Sequence, residues 1–162
     1  MSPMTALINP IRTTAWWAVN RWIEQTFPGL PTLTTQRLAD WLSQGQEPLP
    51  ILLDVRRDYE FAVSHLPQAH LTPNLDAALA LGIACHQPIV AYCSVGYRSG
   101  RLVGQLREAG YTQVYNLSGS AFRWANEGRS LVSDGQPVEA VHPFNPLWGL
   151  LLKPGLGHRL EE

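Results

Sequence analysis

Two short apolar runs stand out along the chain. Ile51-Leu52-Leu53 leads into Asp54-Val55, and Ile89-Val90-Ala91-Tyr92 leads into Cys93. Runs of this length without polar alternation predict strands buried on both faces, as in a parallel sheet. A third strand is expected over Gln113–Asn116. Helical patterns lie between them. Leu38, Trp41 and Leu42 share one helix face, with Thr34 as N-cap, Leu33 and Leu38 as a hydrophobic staple and Gly45 as the stop. Leu75–Leu81 reads as a short helix ending at Gly82. Leu102, Val103, Leu106 and Ala109 give an apolar face to a helix from about Ser99, stopped by Gly110. Another short helix covers about Ala121–Glu127. Residues 57–64 are helical or irregular, and His65-Leu66-Pro67 is an extended turn, because a residue before proline avoids the helical region. Strands alternating with helices imply an α/β fold with a mainly parallel sheet. The chain has no internal repeat.

The two ends differ from this middle. Trp16, Trp17, Val19, Trp22 and Ile23 form an aromatic-rich segment interrupted by Arg12, Asn20, Arg21 and Glu24. It is too polar and too short to span a bilayer. Either it is an amphipathic helix packed on the domain, or it presents a membrane-surface or partner-binding face. Pro28-Gly29-Leu30-Pro31 ends it. Beyond Gly128 the chain is rich in Pro, Gly and Trp and has little periodicity. Its His142–Trp148 segment covers a sheet edge or forms a partner surface. The expected organisation is an N-terminal extension over 1–31, a domain over 32–130 and a packed Pro/Trp-rich extension over 131–162.

Composition narrows the class. Of 162 residues, 45% are apolar and 15% charged, which describes a folded globular chain. A net charge of -1 gives no overall basic field for nucleic acid. Met1–Asn9 lack a basic start followed by an apolar run, so a cytoplasmic location is expected. Two cysteines are too few for a disulfide framework, and no Cys/His set has metal-ligand spacing. Neither a metal nor a cofactor is expected.

Cys93 stands at the carboxyl end of a strand, where α/β sheets bind ligands. Asp54 and Arg56 stand at the end of another. The loop runs Cys93-Ser94-Val95-Gly96-Tyr97-Arg98-Ser99-Gly100-Arg101. A thiolate is the reactive form of cysteine, and positive potential or a helix N-terminus favours it. Arg98 and Arg101 supply charge, and no Asp or Glu occurs between residues 77 and 107. A positive local field is therefore expected. Gly96 lets the loop's N–H groups converge on a thiolate, persulfide or oxyanion. Ser99 can cap the helix or donate to the cysteine sulfur. The competing reading is a buried cysteine with no chemistry, a common residue at a strand end.

The chain resembles the rhodanese-like sulfurtransferases in three separated segments. The first is Asp54-Val55-Arg56, then Glu60-Phe61 and His65-Leu66-Pro67-Gln68-Ala69. The second is Tyr92-Cys93-Ser94-Val95-Gly96-Tyr97-Arg98-Ser99. The third is Val114-Tyr115-Asn116-Leu117-Ser118-Gly119-Ser120, then Trp124. This resemblance implies a three-layer fold with a central, mainly parallel sheet flanked by helices. It also implies that Cys93 takes sulfur from a small anionic donor such as thiosulfate and passes it to cyanide or a thiol, or to a protein acceptor. Residues 94–99 would hold the persulfide and Arg98 would orient an anion. Arg56 would bind anion, brace the loop or form an ion pair with Asp54 or Glu60, and Asp54 would be structural. Ser64, Gln68 and Ser120 stand where the family usually has glycine, which should alter turns and leave the chemistry intact.

Three alternatives stay open. A persulfide carrier or interaction module would serve a protein partner. A cysteine phosphatase or arsenate reductase would want arginine six residues after the cysteine, where Ser99 stands, one beyond Arg98. Cys85 is either a resolving cysteine or inert.

Overall fold

The computed structural model describes residues 3–161, with side chains from residue 10 onward. Its central sheet has five strands: β1 (Thr32–Thr34), β2 (Ile51–Asp54), β3 (His70–Leu71), β4 (Ile89–Tyr92) and β5 (Val114–Ser118). Their spatial order is β1-β5-β4-β2-β3, and every pairing is parallel. The three apolar strands occupy the middle. Successive strand residues point to opposite faces, and the core divides accordingly. Leu52, Val90, Tyr92 and Leu117 pack on one side, Leu53, Ile89, Ala91 and Cys93 on the other.

Helices cover both faces. The first side is closed by α1 (Pro3–Thr26), α2 (Thr35–Gln44) and α6 (Ser120–Asn126), through Ile23, Leu38 and Phe122. The second is closed by α4 (Leu75–Ala80) and α5 (Tyr97–Glu108), through Ala78, Leu102 and Leu106. A single turn and a half, α3 (Asp58–Val63), follows β2. The expected caps of α2 are present: Thr34 Oγ accepts from the Arg37 N–H at 3.2 Å, and Gly45 is left-handed. This is the α/β architecture expected from the sequence.

Differences concern boundaries and edges. Helix α5 starts at Tyr97 instead of Ser99, because Gly96 at φ 116 turns the chain into it two residues early. Strands β1 and β3 were not expected. They are the sheet's two edges, and of their residues only Leu33 is buried. The segment read as aperiodic holds an antiparallel hairpin, β6 (Leu131–Ser133) with β7 (Gln136–Val138), and a 3-10 turn over Trp148–Leu151.

Both terminal segments lie on the domain. Trp16 and Ile23 of α1 are buried, and Trp16 Nε1 donates to the Leu151 carbonyl at 3.1 Å. Trp17, on the opposite face, is 68% exposed. Val141 is fully buried and bridges to Gly157. Among the described residues no helix is long and apolar enough to cross a membrane.

Candidate active site

Cys93 directly follows β4, and its backbone is held from both sides. Its N–H donates to Ser120 Oγ at 3.2 Å, and its carbonyl accepts from the Ala121 N–H at 3.0 Å. The Ser94 carbonyl accepts from the Phe122 N–H at 3.0 Å. The turn between β5 and α6 therefore clamps the nucleophile's strand end. Ser120 makes this turn at φ 48, a left-handed conformation that favours glycine. Gln68 is likewise left-handed at φ 65. At these two of the three positions where the family usually has glycine, the backbone takes a conformation that glycine favours, whereas Ser64 is extended at φ -171. Ser120 adds a hydroxyl that contacts the cysteine's own backbone.

Around the sulfur, the Gly96 N–H points at Cys93 Sγ from 3.1 Å, and Ser99 Oγ lies 3.5 Å away. Asn116 fixes both neighbours. Its Nδ2 donates to the Gly96 carbonyl at 2.9 Å, and its Oδ1 accepts from Ser99 Oγ at 2.6 Å. A serine hydroxyl has one proton. The short bond to Asn116 takes it, which leaves Ser99 Oγ as an acceptor facing a Cys93 thiol. Against a thiolate or persulfide the hydroxyl can rotate and donate.

Arg98 is committed elsewhere than expected. Its Nη1 donates to Glu60 Oε2 at 2.8 Å, its Nη2 to Glu60 Oε1 at 2.9 Å and to Ser94 Oγ at 2.9 Å. Glu60 is fully buried and also accepts from the Arg57 N–H at 2.8 Å. Burial pushes the Glu60 carboxyl up, but the Arg98 hydrogen bonds, the Arg57 N–H and the two nearby arginine charges outweigh it. The carboxyl ends below its ordinary value. Burial likewise works against the Arg98 guanidinium, while the Glu60 hydrogen bonds and the charge of Cys93 hold it above its ordinary value. The expected positive charge is therefore opposed at Arg98. A stretch without carboxylates in sequence acquires one in space, 38 residues from Arg98.

Arg56 and Asp54 form a separate, fully buried pair. Arg56 Nε donates to Asp54 Oδ1 at 2.9 Å, Nη2 to Asp54 Oδ2 at 2.7 Å and Nη2 to the Ser64 carbonyl at 2.7 Å. Of the roles open to Arg56, the ion pair with Asp54 is the one the structure holds. It ties the end of β2 to the residues after α3 and makes no hydrogen bond to the Cys93 loop.

Comparison with known proteins decides the family. A sequence model of the rhodanese-like domain matches residues 34–127. The chain belongs to the rhodanese-like domain family. It is 30% identical over 99 residues to the probable adenylyltransferase/sulfurtransferase MoeZ of Mycobacterium tuberculosis, covering 59% of this chain and 25% of that protein. It therefore spans about a quarter of that relative's length. The solved structure of the human single-domain sulfurtransferase TSTD1 is similar at TM-score 0.52 and 26% identity, covering 63% of this chain and all of that one. The thiosulfate sulfurtransferase of Pseudomonas aeruginosa shares the fold, at TM-score 0.59 and 23% identity over 72% of this chain and 22% of that one.

Outside the matched segment, the terminal extensions reach the rhodanese-like loop. Trp22 of α1 stacks on Tyr97 at a centroid distance of 4.6 Å and on Trp148 at 6.3 Å. The Phe144 ring lies 5.0 Å from the Arg98 guanidinium carbon. With Val95 and Cys93 these rings line a small chamber of about 120 Å³ that is open to solvent on one side. Phe144 holds a left-handed φ of 67, and its N–H donates to His142 Nδ1 at 3.0 Å.

The sequence presents Glu60, Asn116 and Ser120 as motif members, Glu60 also as a candidate partner of Arg56 and Ser120 as a replacement of glycine; their contacts with the loop require the fold. The aromatic enclosure carried no sequence signal beyond a local richness in Trp. Among the described residues no group of three His, Cys, Asp or Glu is placed to hold a metal. Cys85 is exposed and precedes β4, while Cys93 follows it. Four strand residues separate their ends by roughly 13 Å, well beyond disulfide reach of about 7 Å between Cα atoms.

Proposed function

We propose that this chain is a sulfurtransferase working through a Cys93 persulfide. The Cys93 thiolate attacks the outer sulfur of a donor such as thiosulfate. A bond forms between Sγ and that sulfur, the donor's S–S bond breaks, and its electron pair leaves with sulfite. The terminal sulfur is then attacked by cyanide or a thiol, and the breaking S–S pair returns to Cys93. The observation that carries this reading is the Gly96 N–H at 3.1 Å from Sγ, on a strand end clamped by Ser120 and Ala121. Ser94, Val95, Tyr97 and Ser99 shape the loop that would hold the outer sulfur. Arg98, joined to Glu60, braces the loop; its pairing also disfavours the phosphatase alternative, which needs a guanidinium free to grip a phosphate.

The names of similar proteins support sulfur transfer as the class. MoeZ, whose name joins two activities, supports a second acceptor, a protein that takes the sulfur from Cys93. Two cysteines without a disulfide suit a reducing, cytoplasmic compartment.

Intact mass after incubation with thiosulfate, mercaptopyruvate or polysulfide tests the reading. Gain of one sulfur atom is expected, removed by cyanide and absent in Cys93→Ser. Failure of all three donors to load the wild-type chain ends the assignment.

A further inference from the structure

The chamber over Cys93 has a chemical character of its own. Cys93 itself is 1% exposed, so any group that meets its sulfur must lie within this space. The lining is almost wholly apolar, made by Trp22, Val95, Tyr97, Phe144 and Trp148. One cation borders it, Arg98, and that guanidinium is already bidentate to the buried Glu60 carboxylate. A small hydrophilic anion such as thiosulfate can react from here, but it sheds water against apolar walls and finds only the loop N–H groups to hold it, so a compact apolar body is retained better. The volume, about 120 Å³, gives room for a body about the size of a benzene ring, with one side open to solvent.

Phe144 gives a second, independent reason. Its φ of 67 is unfavourable for a bulky side chain, and at 43% exposure it is not placed there by burial in the core. The backbone is held by the His142 hydrogen bond, and the result is a ring laid across Arg98 at the chamber. Strain kept at such a position points to use.

We propose that Trp22, Phe144 and Trp148 make this enclosure a selectivity filter for sulfur acceptors with a compact apolar body, that is, small alkyl or aryl thiols. This rests on the persulfide reading above and names its acceptor class. In the transfer, the thiol sulfur bonds to the outer sulfur of Cys93–S–S⁻. The Cys93 S–S bond breaks and its electron pair stays on Sγ. The thiol proton ends on the released hydropersulfide, so atoms and charge balance without a further reactant. The apolar body stays in the chamber while its sulfur reaches Cys93.

The test loads Cys93 with excess inorganic polysulfide, verifies one added sulfur by intact mass, removes the polysulfide and follows its loss to benzyl mercaptan, 2-mercaptoethanol or glutathione. Each rate is divided by that of the same thiol with glutathione persulfide, which removes intrinsic reactivity. The wild type should favour benzyl mercaptan at least tenfold over both others. In Phe144→Asn, a residue tolerant of this backbone, and in Trp148→Ala, the ratio should fall below threefold. Equal corrected rates in the wild type overturn the proposal. So does a preference that survives in every variant that loads sulfur and melts cooperatively. If the wild type never loads sulfur, the sulfurtransferase reading itself falls, an outcome visible before any thiol is added.

Discussion

The loop beneath Cys93 and the aromatic enclosure above it are held by different forces. Beneath, each backbone group of the clamp and each polar side chain of the Asn116–Ser99 and Glu60–Arg98 sets has a named partner, and most are fully buried. Such networks tolerate little change, because an orphaned buried group costs about 1–3 kcal/mol. Above, Trp22 and Phe144 remain about two-fifths exposed and are held by ring stacking and one backbone hydrogen bond. Contacts of that kind are worth about 0.5–1.5 kcal/mol each. The molecule thus fixes its nucleophile rigidly and surrounds it with parts that can change without unfolding it.

The largest expected effect breaks the lower region. Glu60→Ala leaves the Arg98 guanidinium and Ser94 hydroxyl without their shared acceptor and removes the acceptor of the Arg57 N–H. Arg98 is part-exposed and regains water, so the cost falls at the low end of that for a buried pair, about 3 kcal/mol. A matching fall in urea-unfolding free energy is expected, with loss of sulfur loading. A stability change of less than about 1 kcal/mol would show the pair to be dispensable.

Asn116→Ala comes next. It removes the bonds to the Gly96 carbonyl and the Ser99 hydroxyl. The expected cost is about 2 kcal/mol, and the loading rate of the still-folded protein should fall, since Gly96 can then swing its N–H away from Sγ. An unchanged loading rate would mean that the loop needs no such brace.

In the upper region, Phe144→Gly should change stability by about 1 kcal/mol or less, of either sign. Relief of the left-handed backbone is worth about 1–2 kcal/mol, offset by about 0.4–1 kcal/mol from glycine's freer unfolded chain and about 0.5–1 kcal/mol from the lost ring over Arg98. A cost above about 2 kcal/mol would erase the contrast between the two regions.

The same contrast governs what could be read from the sequence. Central strands β2 and β4 announce themselves because both their faces are buried, giving unbroken apolar runs such as Ile89–Tyr92, while β5, Val-Tyr-Asn-Leu-Ser, gives a weaker signal. Edge strands β1 and β3 do not, since Thr32, Thr34, His70 and Leu71 all face solvent and short polar segments have no period. Cys93 and its loop were legible because their residues are contiguous. Glu60, brought in across 38 residues to neutralise Arg98, was not, because absence of carboxylates in a stretch of sequence says nothing about neighbours in space. The enclosure escaped for a related reason. Trp22 and Trp148 lie 126 positions apart in the chain, and only the folded extensions stack them.

Acid should separate the two regions with the smallest perturbation of all. In the upper one, His142 Nδ1 accepts the Phe144 N–H, so protonation there must break that bond. Burial, then the charges of Arg56, His158 and Arg98, holds the imidazole below its ordinary 6.5, with Glu60 pulling the other way and the Tyr59 ring alongside. The unfolded segment therefore binds the proton first. Its contribution is complete above pH 6.5 and declines as pH falls toward the lower folded value, by about the 1 kcal/mol of one hydrogen bond. In the lower region, Glu60 is likewise held below its ordinary 4.5, so its contribution stays complete until pH 4.5 and is lost only below that. Titrating from pH 7 downward, tryptophan fluorescence from Trp22 and Trp148 should shift below pH 6.5 while far-ultraviolet circular dichroism holds until below 4.5. His142→Gln, which keeps an acceptor without a titrating ring, should abolish the first transition and leave the second. A single transition shared by both signals would mean that enclosure and loop form one cooperative unit.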